Sequence, residues 1–206
     1  SAIPLLGAPP TNIVTRGMPE LSAERAAKLA PYLKVRPLRF QDWHPTAHAM
    51  LITRRPARGQ VTQLHVVNKP NGVPVALTDG AEPVRSAAYH PKDGTRILFL
   101  RDAGGSEKYQ VFHLDVAAKK TTMLTDGKHR HTGARWSPDG RRIAYFSPKR
   151  NGRDNDLYTM DPLKPASEKL LAKLPGGGWR ISDWSPDGRL ILAIEYLSIN
   201  HSRIHI

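Results

Sequence analysis

The stretch Trp136-Ser137-Pro138-Asp139-Gly140-Arg141-Arg142-Ile143-Ala144-Tyr145 reads as a strand end, a tight turn and the start of a second strand. Proline presets φ for the second turn position and glycine completes the turn. The run Ile143-Ala144-Tyr145-Phe146 is apolar without alternation, the pattern of a strand covered on both faces. Nearly the same words return at Trp184-Ser185-Pro186-Asp187-Gly188-Arg189-Leu190-Ile191-Leu192. Looser copies stand at Trp43-His44-Pro45 and Tyr89-His90-Pro91, so the aromatic recurs at 43, 89, 136 and 184, a near-constant step.

A second marker keeps the same beat. Leu77-Thr78-Asp79-Gly80 stands ahead of Tyr89 by the same distance as Leu124-Thr125-Asp126-Gly127 stands ahead of Trp136. Leu174-Pro175-Gly176-Gly177 takes the equivalent place before Trp184. Between the markers lie a polar loop and a third, alternating strand, as in Gln110-Val111-Phe112-His113-Leu114-Asp115. A fourth strand runs into the Leu-Thr-Asp-Gly marker. Four strands per unit of roughly 40–50 residues is the period of a β-propeller blade. The fold expected is all-β, a propeller of four-stranded blades starting near residues 39, 84, 131 and 179.

Residues 1–38 form an N-terminal extension. Ser22 through Leu29 predicts a short helix, capped by Ser22 and ended before Pro31, after a Pro-rich extended segment over 1–21. Residues 39–206 hold about three and a half blades, because Ser202-Arg203-Ile204-His205-Ile206 only begins a third strand. A blade cut short exposes a strand edge and apolar faces. The expectation is therefore a truncated propeller, the front of a longer polypeptide; a dimer of half-propellers would also close the ring.

Composition narrows the field. With 16 Gly and 18 Pro among 206 residues, turns are too frequent for a helical bundle. With no Cys, disulfide scaffolds, thiolate metal sites and cysteine nucleophiles are excluded within this chain. That zero fits the bacterial cytoplasm and the periplasm alike. No apolar run is long enough for a membrane helix. The net charge of +13 is spread over basic pairs such as Arg54-Arg55 and Lys119-Lys120, mostly in turns or at strand ends. A specific nucleic-acid site would gather them in one stripe, so scattered surface charge is the better reading.

The Trp-Ser-Pro-Asp-Gly repeats resemble those shared by TolB and the prolyl oligopeptidase family of serine peptidases. Three longer stretches, 100–112, 151–161 and 195–202, resemble the blades of the bacterial peptidases. The resemblance implies a propeller that gates and positions short peptides for a C-terminal α/β-hydrolase domain carrying the catalytic triad. This chain contains no Gly-x-Ser-x-Gly nucleophile elbow. None of its residues is assigned a catalytic role, and the triad would lie beyond Ile206. The alternative is a non-catalytic, TolB-like propeller that binds a protein partner in the bacterial envelope.

Four residues are candidates for substrate binding. Arg101 could hold a peptide carboxylate or carbonyl in its planar fork, beside Asp102; Glu107 could meet a peptide ammonium. Glu195, at the end of an apolar strand, could point into the channel or an interdomain cleft. Each has a plainer alternative as a turn or strand-end ion pair of small energetic weight. His129 and His131 share one side of an extended segment, but no third ligand stands near and Arg130 separates them, so neither metal nor cofactor is expected. His44, His90, Asp139 and Asp187 read as turn formers, and Trp43, Trp136 and Trp184 as blade packing.

Overall fold

The computed structural model describes residues 22–33, 38–57, 60–102 and 104–206, together with 14, 16, 17 and 19. The chain divides into two units, Ser1–Pro37 and Leu38–Ile206. In the first, α1 (Ala23–Leu33) begins after Ser22, whose hydroxyl accepts from Arg25 N at 3.3 Å. Lys28 and Glu24 pair across one turn at 2.8 Å. Pro31 lies inside the helix rather than past its end. Its locked φ is itself helical, and this near the terminus its missing N–H costs a single hydrogen bond. Most of the segment expected to be extended, 1–21, lies outside the described residues.

The second unit is four antiparallel sheets, each built from consecutive strands. Blade 1 comprises β1 (Leu38–Trp43), β2 (Met50–Arg54), β3 (Gln63–Val67) and β4 (Val75–Ala76). Blade 2 comprises β5 (Val84–Tyr89), β6 (Arg96–Arg101), β7 (Gln110–Asp115) and β8 (Lys120–Met123). Blade 3 comprises β9 (Thr132–Trp136), β10 (Ile143–Ser147), β11 (Asp156–Asp161) and β12 (Lys164–Ala172). Blade 4 has three strands, β13 (Trp179–Trp184), β14 (Ile191–Ser198) and β15 (His201–His205). The fold is the all-β propeller that the repeat predicts, with a last blade of three strands.

Alternation along each second strand feeds two different cores. In β6, Ile97 and Phe99 pack with Leu51 and Leu64 of blade 1, while Leu98 packs with Trp136 and Tyr145 of blade 3. In β10, Ile143 and Tyr145 turn back to blade 2, while Ala144 and Phe146 meet Trp179 and Trp184 of blade 4. All four β10 residues named are fully buried. The third strands depart from expectation for the same reason. β11 is buried from Asp156 through Met160, not half-exposed, because a sheet sandwiched between blades has no solvent face.

The first strands are where neighbouring blades converge: β1 touches β5, and β9 touches β13. Blade 1 caps the open edge of β5, with Gln41 Oε1 accepting from Ala87 N at 3.1 Å and Asp42 Oδ2 from Tyr89 N at 2.9 Å. A register shift interrupts each of the four first strands, as bulges do where an edge must re-aim its side chains. The repeat aromatics Tyr89, Trp136 and Trp184 are 5%, 8% and 7% exposed, but Trp43 is 64% exposed. Each of the three packs on the preceding blade. Among the described residues no sheet precedes blade 1, so Trp43 does not share their packing role.

Candidate functional site

Antiparallel order sends the loops between second and third strands, and the connections between blades, to one end of the fold. The Ser-Pro-Asp-Gly turns occupy the other end.

At the loop end, Arg101 closes β6. Its guanidinium donates to Asp79 O at 3.0 Å and lies 5.3 and 5.8 Å from the ring centroids of Phe99 and Phe112. Burial holds its pKa below the ordinary value. Asp102, 6% exposed, shapes the loop that follows: its carboxylate accepts from Ser106 Oγ and Glu107 N, each at 3.1 Å. Glu107 sits at φ 58° and projects outward to pair with Arg130 at 3.4 Å. Arg101, Asp102 and Glu107 thus belong to one loop.

Glu195 lies two blades away, yet at the same repeat position as Arg101. Arg101 stands four residues after Ile97, the partner of Tyr89; Glu195 stands four after Ile191, the partner of Trp184. Glu195 accepts from His205 Nε2 at 3.1 Å, with Arg203 at 3.8 Å, and its side chain is 14% exposed. Glu107 and Glu195 are therefore both paired with basic neighbours, and no hydrogen bond or ion pair among the described residues joins Glu195 to the blade 2 loop.

The connection from blade 2 to blade 3 holds a group the sequence left as two histidines. Asp126 accepts from Lys128 N, His129 N, His129 Nδ1 and His131 Nε2, at 2.7 to 3.1 Å. Burial opposes its charge, but these bonds together hold the carboxyl well below its ordinary range. His131 is 1% exposed, and burial pulls its pKa down against the pull of Asp126. Both imidazoles are spent on one carboxylate. Among the described residues no group of three or more His, Asp or Glu is placed to hold a metal ion.

The blade 3 loop is a comparable lock. Asp154 accepts from Gly176 N at 3.0 Å and Asn151 Nδ2 at 2.8 Å, and Arg150 bridges Asp154 and fully buried Asp156.

Sequence reasoning missed what the Thr of the Leu-Thr-Asp-Gly marker does. Thr78 Oγ1 donates to Gln63 Oε1 and Thr125 Oγ1 to Gln110 Oε1, both at 2.7 Å, while each hydroxyl accepts the next strand N–H at 3.0 Å. The amides then donate to carbonyls of the connection to the next blade, among them Glu82 O and His129 O. The signal was available: glutamine opens the third strand at 63 and again at 110, in step with the threonines at 78 and 125. In blade 3, where Pro175 replaces the threonine, Asp156 replaces the glutamine and accepts from Leu174 N at 2.9 Å.

The turn histidines are turn formers and something more. His44 Nδ1 accepts from Ala47 N at 3.1 Å, while its ring lies edge-on to Tyr89 of blade 2, centroids 4.8 Å apart. His90 repeats the contact with Trp136 at 5.1 Å. Each ring rests on the turn glycine of the next blade, so a Cβ at Gly94 or Gly140 would come within 2.2 or 2.0 Å of imidazole Nε2.

No family model matches the chain. Over 123 residues it is 34% identical to the uncharacterized peptidase YuxL of Bacillus subtilis, a match covering 58% of this chain and 18% of that protein. Over 124 residues it is 28% identical to the Tol-Pal system protein TolB of Alcanivorax borkumensis, covering 55% of this chain and 27% of TolB. Among solved structures, one from a study of two prolyl endopeptidases superposes with a TM-score of 0.64 at 15% identity, covering 83% of this chain and 28% of that one. The matched part is under a third of each of these proteins. The resemblance to the peptidase propellers read from the blades is met by a curated relative named as a peptidase, and the fold by the endopeptidase structure.

Proposed function

We propose that this chain is the propeller portion of a prolyl-oligopeptidase-type serine peptidase, gating and positioning short peptides for an α/β-hydrolase domain of the same polypeptide. The observation that carries the reading is the 34% identity to a protein named as a peptidase. The repeat stretches that resemble peptidase blades support it. In this reading Arg101 and Asp102 anchor the blade 2 loop, and Glu107 and Glu195 offer carboxylates to a peptide ammonium by exchanging their exposed basic partners.

The complete polypeptide is expected to hydrolyse short peptides and to lose that activity to a serine-directed phosphonate. The 206-residue chain, purified alone, is expected to bind peptides without turning them over. Turnover by the isolated chain would overturn the assignment.

The second reading has its own observation, the match to TolB at 28% identity. It describes a non-catalytic propeller binding a protein partner in the bacterial envelope. A complete polypeptide with no serine-reactive site and no peptide hydrolysis would favour it.

A further inference from the structure

The first strand of each blade forms one edge of its sheet, and there β1 meets β5 and β9 meets β13. Four residues before the repeat aromatic, three of these strands carry arginine: Arg39, Arg85 and Arg180. Arg39 lies opposite Thr53 and Arg180 opposite Ile194, the same rung of blades 1 and 4. Arg85 falls at the register shift between Val84 and Ser86. All three are exposed, and Arg39 and Arg85 stay so with a following blade packed beside them. Arg39 and Arg180 have no ion-pair partner among the described residues.

Blade 3 has Thr132 at this position, and a neighbouring arginine fills the gap. Arg130 and Arg85 bring their guanidinium carbons to 5.3 and 5.0 Å from the ring centroid of one tyrosine, Tyr109, and Arg85 also donates to its hydroxyl. Tyr109 is 7% exposed, so it is a fixed post. It gathers two cations at its π face, of which Arg130 also pairs with Glu107 at 3.4 Å. A guanidinium held in this way keeps N–H donors of its planar fork free, and that fork matches a carboxylate.

We propose that Arg39, Arg85, Arg130 and Arg180 form a collar at the loop end of the first strands that binds the carboxylates of acidic peptides. The inference rests on the peptide-handling reading above and names the peptide class. The collar favours glutamate- or aspartate-rich segments and repels basic ones.

Fluorescence anisotropy of dye-labelled hexaglutamate, hexaglutamine and hexalysine, titrated with the 206-residue chain, tests this. Hexaglutamate is expected to bind about tenfold tighter than hexaglutamine, an advantage that shrinks with added salt. The double variant Arg39→Gln/Arg180→Gln changes two exposed side chains and is expected to weaken hexaglutamate about fivefold while leaving hexaglutamine alone. Arg141→Gln/Arg189→Gln removes the same charge from turns at the opposite end and is expected to change neither.

Equal weakening by the two double variants would show diffuse charge and overturn the collar. Hexaglutamine bound as tightly as hexaglutamate would overturn the collar and leave the peptide-binding reading standing. Failure of every peptide to bind would overturn both. A single-stranded oligothymidylate of equal charge bound as tightly as hexaglutamate would overturn the peptide specificity.

Discussion

Replacing Gly140 by alanine tests whether the turns of adjacent blades interlock as described. Gly140 and Gly188 hold the same place in two Ser-Pro-Asp-Gly turns, at φ 73° and 68°. Alanine at either meets the same backbone penalty, about 1–2 kcal/mol. Their surroundings differ. A Cβ at 140 would fall 2.0 Å from His90 Nε2, whereas at 188 the nearest atom is Pro138 Cδ at 3.7 Å, an ordinary contact. His90 is 7% exposed and edge-on to Trp136, so it cannot move aside without opening the interface between blades 2 and 3. Overpacking of this kind adds about 1–3 kcal/mol.

Gly188→Ala is therefore expected to cost about 1–2 kcal/mol and Gly140→Ala about 2–5 kcal/mol. Thermal unfolding followed by tryptophan fluorescence should separate their midpoints by about 2–12 °C, at roughly 2–4 °C per kcal/mol for a unit of this size. His90→Ser installs the residue found at 137 and 185 and removes the ring. In that background the cost of Gly140→Ala is expected to fall to that of Gly188→Ala. Equal destabilisation by the two alanines in the natural sequence would refute the interlock. So would a Gly140→Ala cost that stays unchanged once His90→Ser has taken the imidazole away.

Two further outcomes follow from buried polar groups. His65, His113 and His131 are all held below their ordinary pKa of 6.5, in each case first by burial. The unfolded chain then takes up protons that the folded chain refuses, so their stabilisation is present above pH 6.5 and lost as pH falls through and below that value. The melting temperature should drop between about pH 7.5 and 5, with a shallower slope in His131→Asn; a flat profile would contradict the assigned burial. Gln110→Ala strips partners from Thr125 Oγ1, Gly127 N and His129 O, and urea denaturation should register a loss of about 2–4 kcal/mol. Glu107→Ala deletes only the exposed pair with Arg130 and should cost under about 0.5 kcal/mol; similar losses for the two would sink the distinction.

The blade count and strand order were legible in the sequence because a repeat writes the same local instruction several times. Pro-Asp-Gly can only be a turn, and consecutive apolar residues after it need cover on both faces. What lay between repeats was not legible, since a period says which positions are equivalent and not which of them touch. His44 and His90 read as turn residues, and only packing set their rings on the glycines of the next blade. Trp43 carries the repeat aromatic, yet its exposure depends on whether a sheet precedes it. Arg101 and Asp102 were visible as charges beside a Gly-Gly loop, but not as an anchor and a loop former. Nothing in the sequence singles out the arginines at 39, 85 and 180 from the rest of the basic surface. They become a collar only when the blades bring three distant strands to one edge. Which positions share an edge, when they lie as far apart in sequence as Arg39 and Arg180, is set by tertiary packing and by nothing local.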